Sequence, residues 1–286
     1  MRRSHAFTGG AGTALEIRPK DTSYTLDQNG NDRILALSAL SGTYALSVSM
    51  YGGTLRDGTA PSSGAILMIY GSLLVDGMTF LDNTGTVYGG AISVLTGGLT
   101  LSGGTTFTHN RVTGPTNGGG AYFDNSSSVS SSTFSSNSAD RGAGFFSGDA
   151  AITGSRFEEN SAVDWGGALS LGSGGVTGTT TVSTSRFTRN ASAKGGAIDS
   201  WSERLLLNSV EFRANRASEF GAVITRSGRT FRGDLVGVRL GRNRAPLAVG
   251  AVALYGYGAG YPLDQARVDA RVWRAAGSGR VVFFGF

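Results

Sequence analysis

The chain has 286 residues, 40% of them apolar, with 46 Gly and only 5 Pro, which excludes collagen-like, proline-rich and wholly disordered chains and leaves enough apolar surface for a core. It has no cysteine, which excludes disulfides, thiolate chemistry and Cys-based zinc sites but fixes no compartment. The formal charge of +5 is uneven: residues 1–200 hold 12 basic and 14 acidic side chains, whereas residues 201–286 hold 13 Arg and 6 acids.

Residues 1–23 read as a lead-in or partial coil. Met1-Arg2-Arg3 resembles the basic start of a signal peptide, but no apolar stretch follows, and no run approaches a membrane helix. If the protein is exported, its signal is expected outside these residues, with an upstream region missing. From residue 24 to residue 254 one pattern repeats. Phe-x-x-Asn occurs at Phe80/Asn83, Phe107/Asn110, Phe134/Asn137, Phe157/Asn160, Phe187/Asn190 and Phe212/Asn215. Leu26/Asn29 and Leu240/Asn243 carry Leu for Phe, and Leu55/Gly58 is a degenerate copy. Anchors at 26, 55, 80, 107, 134, 157, 187, 212 and 240 lie 23 to 30 residues apart, a solenoid period. A second motif keeps phase with the first: Gly89-Gly90-Ala91-Ile92, Gly119-Gly120-Ala121-Tyr122, Gly166-Gly167-Ala168-Leu169 and Gly195-Gly196-Ala197-Ile198.

Residues 89–110 show how one repeat becomes one coil. Ala91–Val94, Leu99–Ser102 and Thr105–Thr108 alternate apolar with Ser or Thr and are separated by Gly-Gly corners. The expected fold is all-β: a right-handed, single-stranded parallel β-helix of about nine coils, each with three short strands. The Phe anchors should stack in an internal column. The Asn residues should sit at corners in the left-handed backbone region, with their amides paired between coils as a ladder. Residues 255–286 break the pattern and read as a degenerate last coil or C-terminal cap, with strands in Ala266–Arg274 and Arg280–Phe286.

The pairing of Gly-Gly-Ala-Ile with Phe-x-x-Asn resembles the repeats of the chlamydial polymorphic outer membrane proteins and related bacterial β-helix surface proteins. The resemblance spans roughly residues 24 to 254. It implies an exported, surface-displayed, adhesive passenger, extracellular or on the cell surface. The chain departs from that family in having no signal peptide and no room for an outer-membrane barrel.

A polysaccharide hydrolase or lyase on the same scaffold is the alternative, and a degenerate gene product without function stays open. A hydrolase needs two carboxylates flanking the bond; Glu158-Glu159 is the only acidic doublet. Asp76, Asp82, Asp124, Asp140, Asp149, Asp164 and Asp199 are scattered singly and read as turn residues. His109 reads as a surface residue. The Thr-rich run Thr177–Thr184 is not repeated in register, which speaks against an ice-binding array. No catalytic residue, metal site or cofactor is expected. The remaining candidate is a basic strip. Outward positions before the anchors hold Arg156, Arg186, Glu211 and Arg239, joined by Arg213, Arg216, Arg229, Arg232, Arg242 and Arg244. Arg229, Arg232, Arg239, Arg242 and Arg244 form its core. A merely solvated face is the plainer reading. The strip would suit an anionic polysaccharide or cell-surface component rather than a specific nucleic acid.

Overall fold

The computed structural model describes residues 5–9, 12–20, 23–30, 32–39, 46–115, 118–123, 127–172, 178–202, 204–228, 232–245, 252–256, 266–268 and 281–285. Among them every element is a β-strand, and neighbouring turns pair in parallel to form a β-solenoid. Strands of the Ile92–Val94 kind stack into a first sheet of eleven. Strands of the Gly97–Ser102 and Thr106–Thr108 kinds form a second, bent sheet; at Leu46–Arg56 and Gly71–Leu81 one strand of 11 residues runs through the bend. A third sheet of seven short strands begins immediately after the Asn, as at Arg111–Val112. Each complete turn therefore has four strands rather than three, and about seven turns are complete rather than nine. Partial turns extend the first and second sheets at both ends, through strands such as His5–Gly9 and Val281–Gly285.

The Phe anchors form the expected column. Phe80, Phe107, Phe134, Phe157, Phe187 and Phe212 are all 0% exposed. Successive rings lie 4.7 to 4.9 Å apart and within 16° of parallel. That separation matches the ~4.8 Å strand spacing, so each ring stacks face to face on the next with no backbone adjustment.

The Asn ladder also forms, with one correction. The left-handed residue is not the Asn but the one before it: Asp82, His109, Ser136, Glu159, Arg189, Ala214 and Arg242 have φ of 53° to 57°. This turns the Asn inward, where Asn83, Asn110, Asn137, Asn160, Asn190 and Asn215 are at most 1% exposed. Asn160 shows the bonding. Its Nδ2 donates to Asn190 Oδ1 (3.0 Å) and to the Phe134 carbonyl (2.9 Å). Its Oδ1 accepts from Asn137 Nδ2 (3.0 Å) and from the Asn137 backbone N–H (3.1 Å). All four bonding positions of the carboxamide are filled. The ladder runs from the Gly58 N–H, which donates to Asn83 Oδ1, through to Asn243. Leu26/Asn29 is not a rung: Asn29 is exposed with φ of 54°, and Gln28 is the buried residue there.

The Gly-Gly-Ala step does more than turn a corner. Strands such as Ile92–Val94 and Leu169–Leu171 are buried on both faces, because the chain entering the step folds over the outer one. A Cβ on Gly89 (φ 30°) would come within 2.8 Å of the outward Ser93 Oγ. One on Gly195 (φ 66°) would come within 2.5 Å of Thr225 Oγ1. Beneath these corners the outward side chains Tyr122 and Phe146 stack 5.1 Å apart as a small outer core.

Phe157→Ala is expected to cost ~3–5 kcal/mol through the cavity left in the column. Asn160→Ala orphans several buried groups at once and is expected to cost a similar amount. Denaturant midpoints check both; an Asn160→Ala midpoint equal to wild type would refute the ladder as a source of stability.

Candidate functional site

The positions before the anchors form one outward column in strict register: Thr25, Thr54, Thr79, Thr106, Thr133, Arg156, Arg186, Glu211, Arg239. Its first half is neutral, with Thr106 Oγ1 donating to Thr79 Oγ1 at 3.2 Å. Its second half is charged. Arg186 Nε lies 3.0 Å from Glu211, and around the same corner Arg189 pairs with Glu159. Exposed pairs of this kind contribute little, ~0.2–1 kcal/mol each.

Arg239, Arg242 and Arg244 from the expected strip lie in one turn, exposed, beside Arg213 and Arg216 of the turn before. Arg216 and Arg244 are directly opposite each other in a parallel bridge. None of these five has an acidic side chain within ion-pairing distance among the described residues. Arg229 lies outside the described residues. Arg232 starts a strand in another column of the second sheet, in register with Arg204. The strip is thus split between two columns.

The bend of the second sheet carries a second internal ladder, built from hydroxyls. Thr105, Ser132, Ser155 and Ser185 are at most 4% exposed. The Ser132 N–H donates to Ser155 Oγ (3.2 Å) and the Ser155 N–H to Ser185 Oγ (3.1 Å). The next two rungs are Val210 and Val238, which accept nothing. Where the hydroxyls stop, a groove of about 630 Å³ opens over three turns. Thr184, Ser209 and Gly237, all at left-handed φ, form one wall. Ser185, Val210 and Val238 form the floor, and Arg186, Glu211 and Arg239 the other wall.

The single aspartates do not all behave as turn residues. Asp76, Asp140, Asp164 and Asp199 lie within strands, Asp82 does sit at a turn, and Asp124 is outside the described residues. Asp199 is 0% exposed, the one fully buried charged side chain among the described residues. It occupies the outer face of the first sheet, accepting from Thr225 Oγ1 (3.0 Å) and Trp201 Nε1 (2.8 Å). Burial pushes its carboxyl up to about 7, against the opposing pull of these donors and of Arg141. Trp201 stands edge-on to Trp165 at 6.3 Å, and Lys194 sits 4.5 Å over the Trp165 ring while pairing with Asp164. Of the doublet, Glu159 is committed to Arg189 and Glu158 is half-buried. His109 is exposed, 3.7 Å from Asp82. Among the described residues no three His, Asp or Glu side chains gather as metal ligands.

No family model, curated protein or solved structure matches this chain.

The Asp199 carboxyl gives a pH dependence of defined sign. An unfolded Asp releases its proton near 3.8, whereas this one holds it to about 7. Between those values the folded chain carries a proton that the unfolded chain has lost, so stability falls as pH rises through the window and is flat above it. Each tenfold difference in proton affinity is worth ~1.4 kcal/mol. Thermal midpoints from pH 5 to 8 should fall more steeply for wild type than for Asp199→Asn; parallel curves would refute the assignment.

Proposed function

We propose that this chain is a non-enzymatic, surface-displayed or secreted β-solenoid of the adhesin or passenger type, presenting a basic face to an anionic polymer or surface. The observation that carries the reading is Arg216 opposite Arg244, with Arg213, Arg239 and Arg242 on the same two turns. Like charges directly opposite on neighbouring strands repel. Turns ~4.8 Å apart hold the backbones of Arg216 and Arg244 well inside one Debye length, so charges at such positions add at the surface. An anionic partner would relieve the repulsion, and the neutral threonine column confines the attraction to one end of the rod. No helix among the described residues is long and apolar enough to cross a membrane, which says nothing of strands. Surface display and export rest on the repeat's resemblance to bacterial surface proteins.

A polysaccharide-cleaving activity is the second reading, and Asp199 favours it, because a general acid works best with a pKa near the working pH. Against it, that carboxyl is fully buried and held by Trp201 and Thr225, and glycoside hydrolysis needs a second carboxylate facing the same bond.

Retention on heparin and on anionic liposomes tests the proposal. A variant with Arg213, Arg216, Arg239, Arg242 and Arg244 all changed to Ser should elute at clearly lower salt than wild type. Equal elution of the two proteins at low ionic strength would overturn it. Turnover of pectin that Asp199→Asn abolishes would establish the enzyme instead.

A further inference from the structure

Two of the chain's three tryptophans meet on the outside of the rod, on successive turns. The coil asks for neither. Trp165 stands in register between Arg141 and Lys194, so its position accepts a long charged side chain as well. Trp201 follows Ser200, and the two turns before it have Gly148 and Gly172 at that point. Yet both indoles are held. Trp201 Nε1 donates to Asp199 Oδ2 (2.8 Å), and its ring stands at 67° to that of Trp165. Lys194 lies 4.5 Å over the Trp165 ring and is tied on two sides, to Asp164 (3.1 Å) and to Glu219 (3.6 Å). Asp199 makes this arrangement costly, since Ser170 and Thr225 fill the same column with no charge to bury. Trp201 is 36% exposed and is oriented by a fully buried carboxylate. Fixing a surface ring in this way establishes order before any contact is made.

We propose that Trp201, braced by Trp165, seats a neutral sugar ring, with Asp164 and Glu219 accepting from its hydroxyls. The indole N–H is committed to Asp199, so what Trp201 presents to water is apolar ring, and its electron-rich face suits the C–H face of a pyranose. Asp164 and Glu219 are both partly exposed, and a carboxylate takes a hydroxyl in a charge-assisted bond. The charges of the cluster already answer one another. Lys194 is shared by Asp164 and Glu219, and Arg141 lies 3.9 Å from Asp164. A cationic ligand would compete with Lys194 for the Trp165 ring, and an anionic one would meet the two carboxylates. Asp199 is a positioning residue, acting through the indole it holds. The site uses none of the five arginines of the basic face and does not rest on that reading.

Calorimetric titration and tryptophan fluorescence test the site with cellohexaose, chitohexaose and maltohexaose, set against choline and hexagalacturonate. Wild type should bind at least one neutral hexamer with a change in tryptophan emission. Its affinity should be the same in low and high salt, because no net charge is neutralised. Trp201→Ala should weaken that binding about tenfold or more. Asp199→Ser puts the chemistry of Ser170 beneath the indole and removes its anchor. It should bind the hexamer more weakly than wild type although its thermal midpoint above pH 7 is no lower, a combination that a merely structural role would not give. This second variant carries the test if Trp201→Ala does not fold. No neutral hexamer bound by wild type, or unchanged affinity in Trp201→Ala, would overturn the site. Choline bound in its place, and lost in Trp201→Ala, would overturn it in favour of a cation. The variant lacking Arg213, Arg216, Arg239, Arg242 and Arg244 should bind the neutral hexamer as wild type does, so that failure on heparin and failure here are told apart; hexamer affinity lost with those arginines would also overturn the site.

Discussion

A carboxamide buried away from water is tolerable only when all four of its hydrogen-bonding positions are filled, and one isolated Asn in a core cannot arrange that by itself. Translation along the rod solves the problem. Each Asn of the ladder lends its oxygen to the turn before and its amide to the turn after, with bonds of 2.9 to 3.1 Å from Asn110 to Asn190. The arrangement works only if successive turns are nearly identical in height and phase. This single requirement fixes the anchor Phe at three residues before, the left-handed residue at one before, and the third-sheet strand immediately after. Loops between the strands can vary in length, as the anchor separations of 23 to 30 show, because they lie outside the ladder.

The same translation sets the terms for everything on the surface. Any side chain repeated at one position meets its own copy ~4.8 Å away. For Phe and Asn this is favourable, and for Thr it is neutral to favourable. For Arg it is unfavourable unless a carboxylate alternates, as Glu211 does against Arg186, or a partner arrives from outside. Arg216 opposite Arg244 breaks that alternation on the exposed face, while Val210 and Val238 break the hydroxyl ladder beneath the groove. Both departures lie in the C-terminal third of the chain, where Arg is also concentrated.

The Phe column and the Asn rungs were legible in the sequence because they are long-lived periodic signals with a fixed three-residue spacing. The fourth strand was not: two residues such as Arg111–Val112 carry no alternation of their own and are held in sheet pairing by the ladder beside them. The left-handed residue was misplaced by one, since an Asn at a corner is a natural candidate for that backbone and Asp82, His109 and Arg189 share no side-chain chemistry. Asp199 looked like the other scattered aspartates. Only the fold shows that its strand is covered on both faces, which is what lifts its carboxyl. The basic strip was legible as composition, but its division between two columns depended on which strands of the second sheet Arg232 and Arg239 entered.

In a solenoid the period carries the fold, so residues that obey it say little about function. The departures do say something, provided a physical demand comes with them. A Ser-to-Val change ends the hydroxyl ladder at Ser185 and puts Val210 and Val238 into the core instead. A Thr-to-Arg change in an outward column adds charge where no charge is needed for pairing. A carboxylate beneath a glycine corner costs stability above pH 7 that a Ser or Thr at the same position, as in Ser170 and Thr225, would not. The valines pack in the core, but the arginine and the carboxylate do not help the coil to form. Each is tolerated because the Phe and Asn ladders hold the turns together without assistance from the surface, which leaves the outer positions free to answer to a partner.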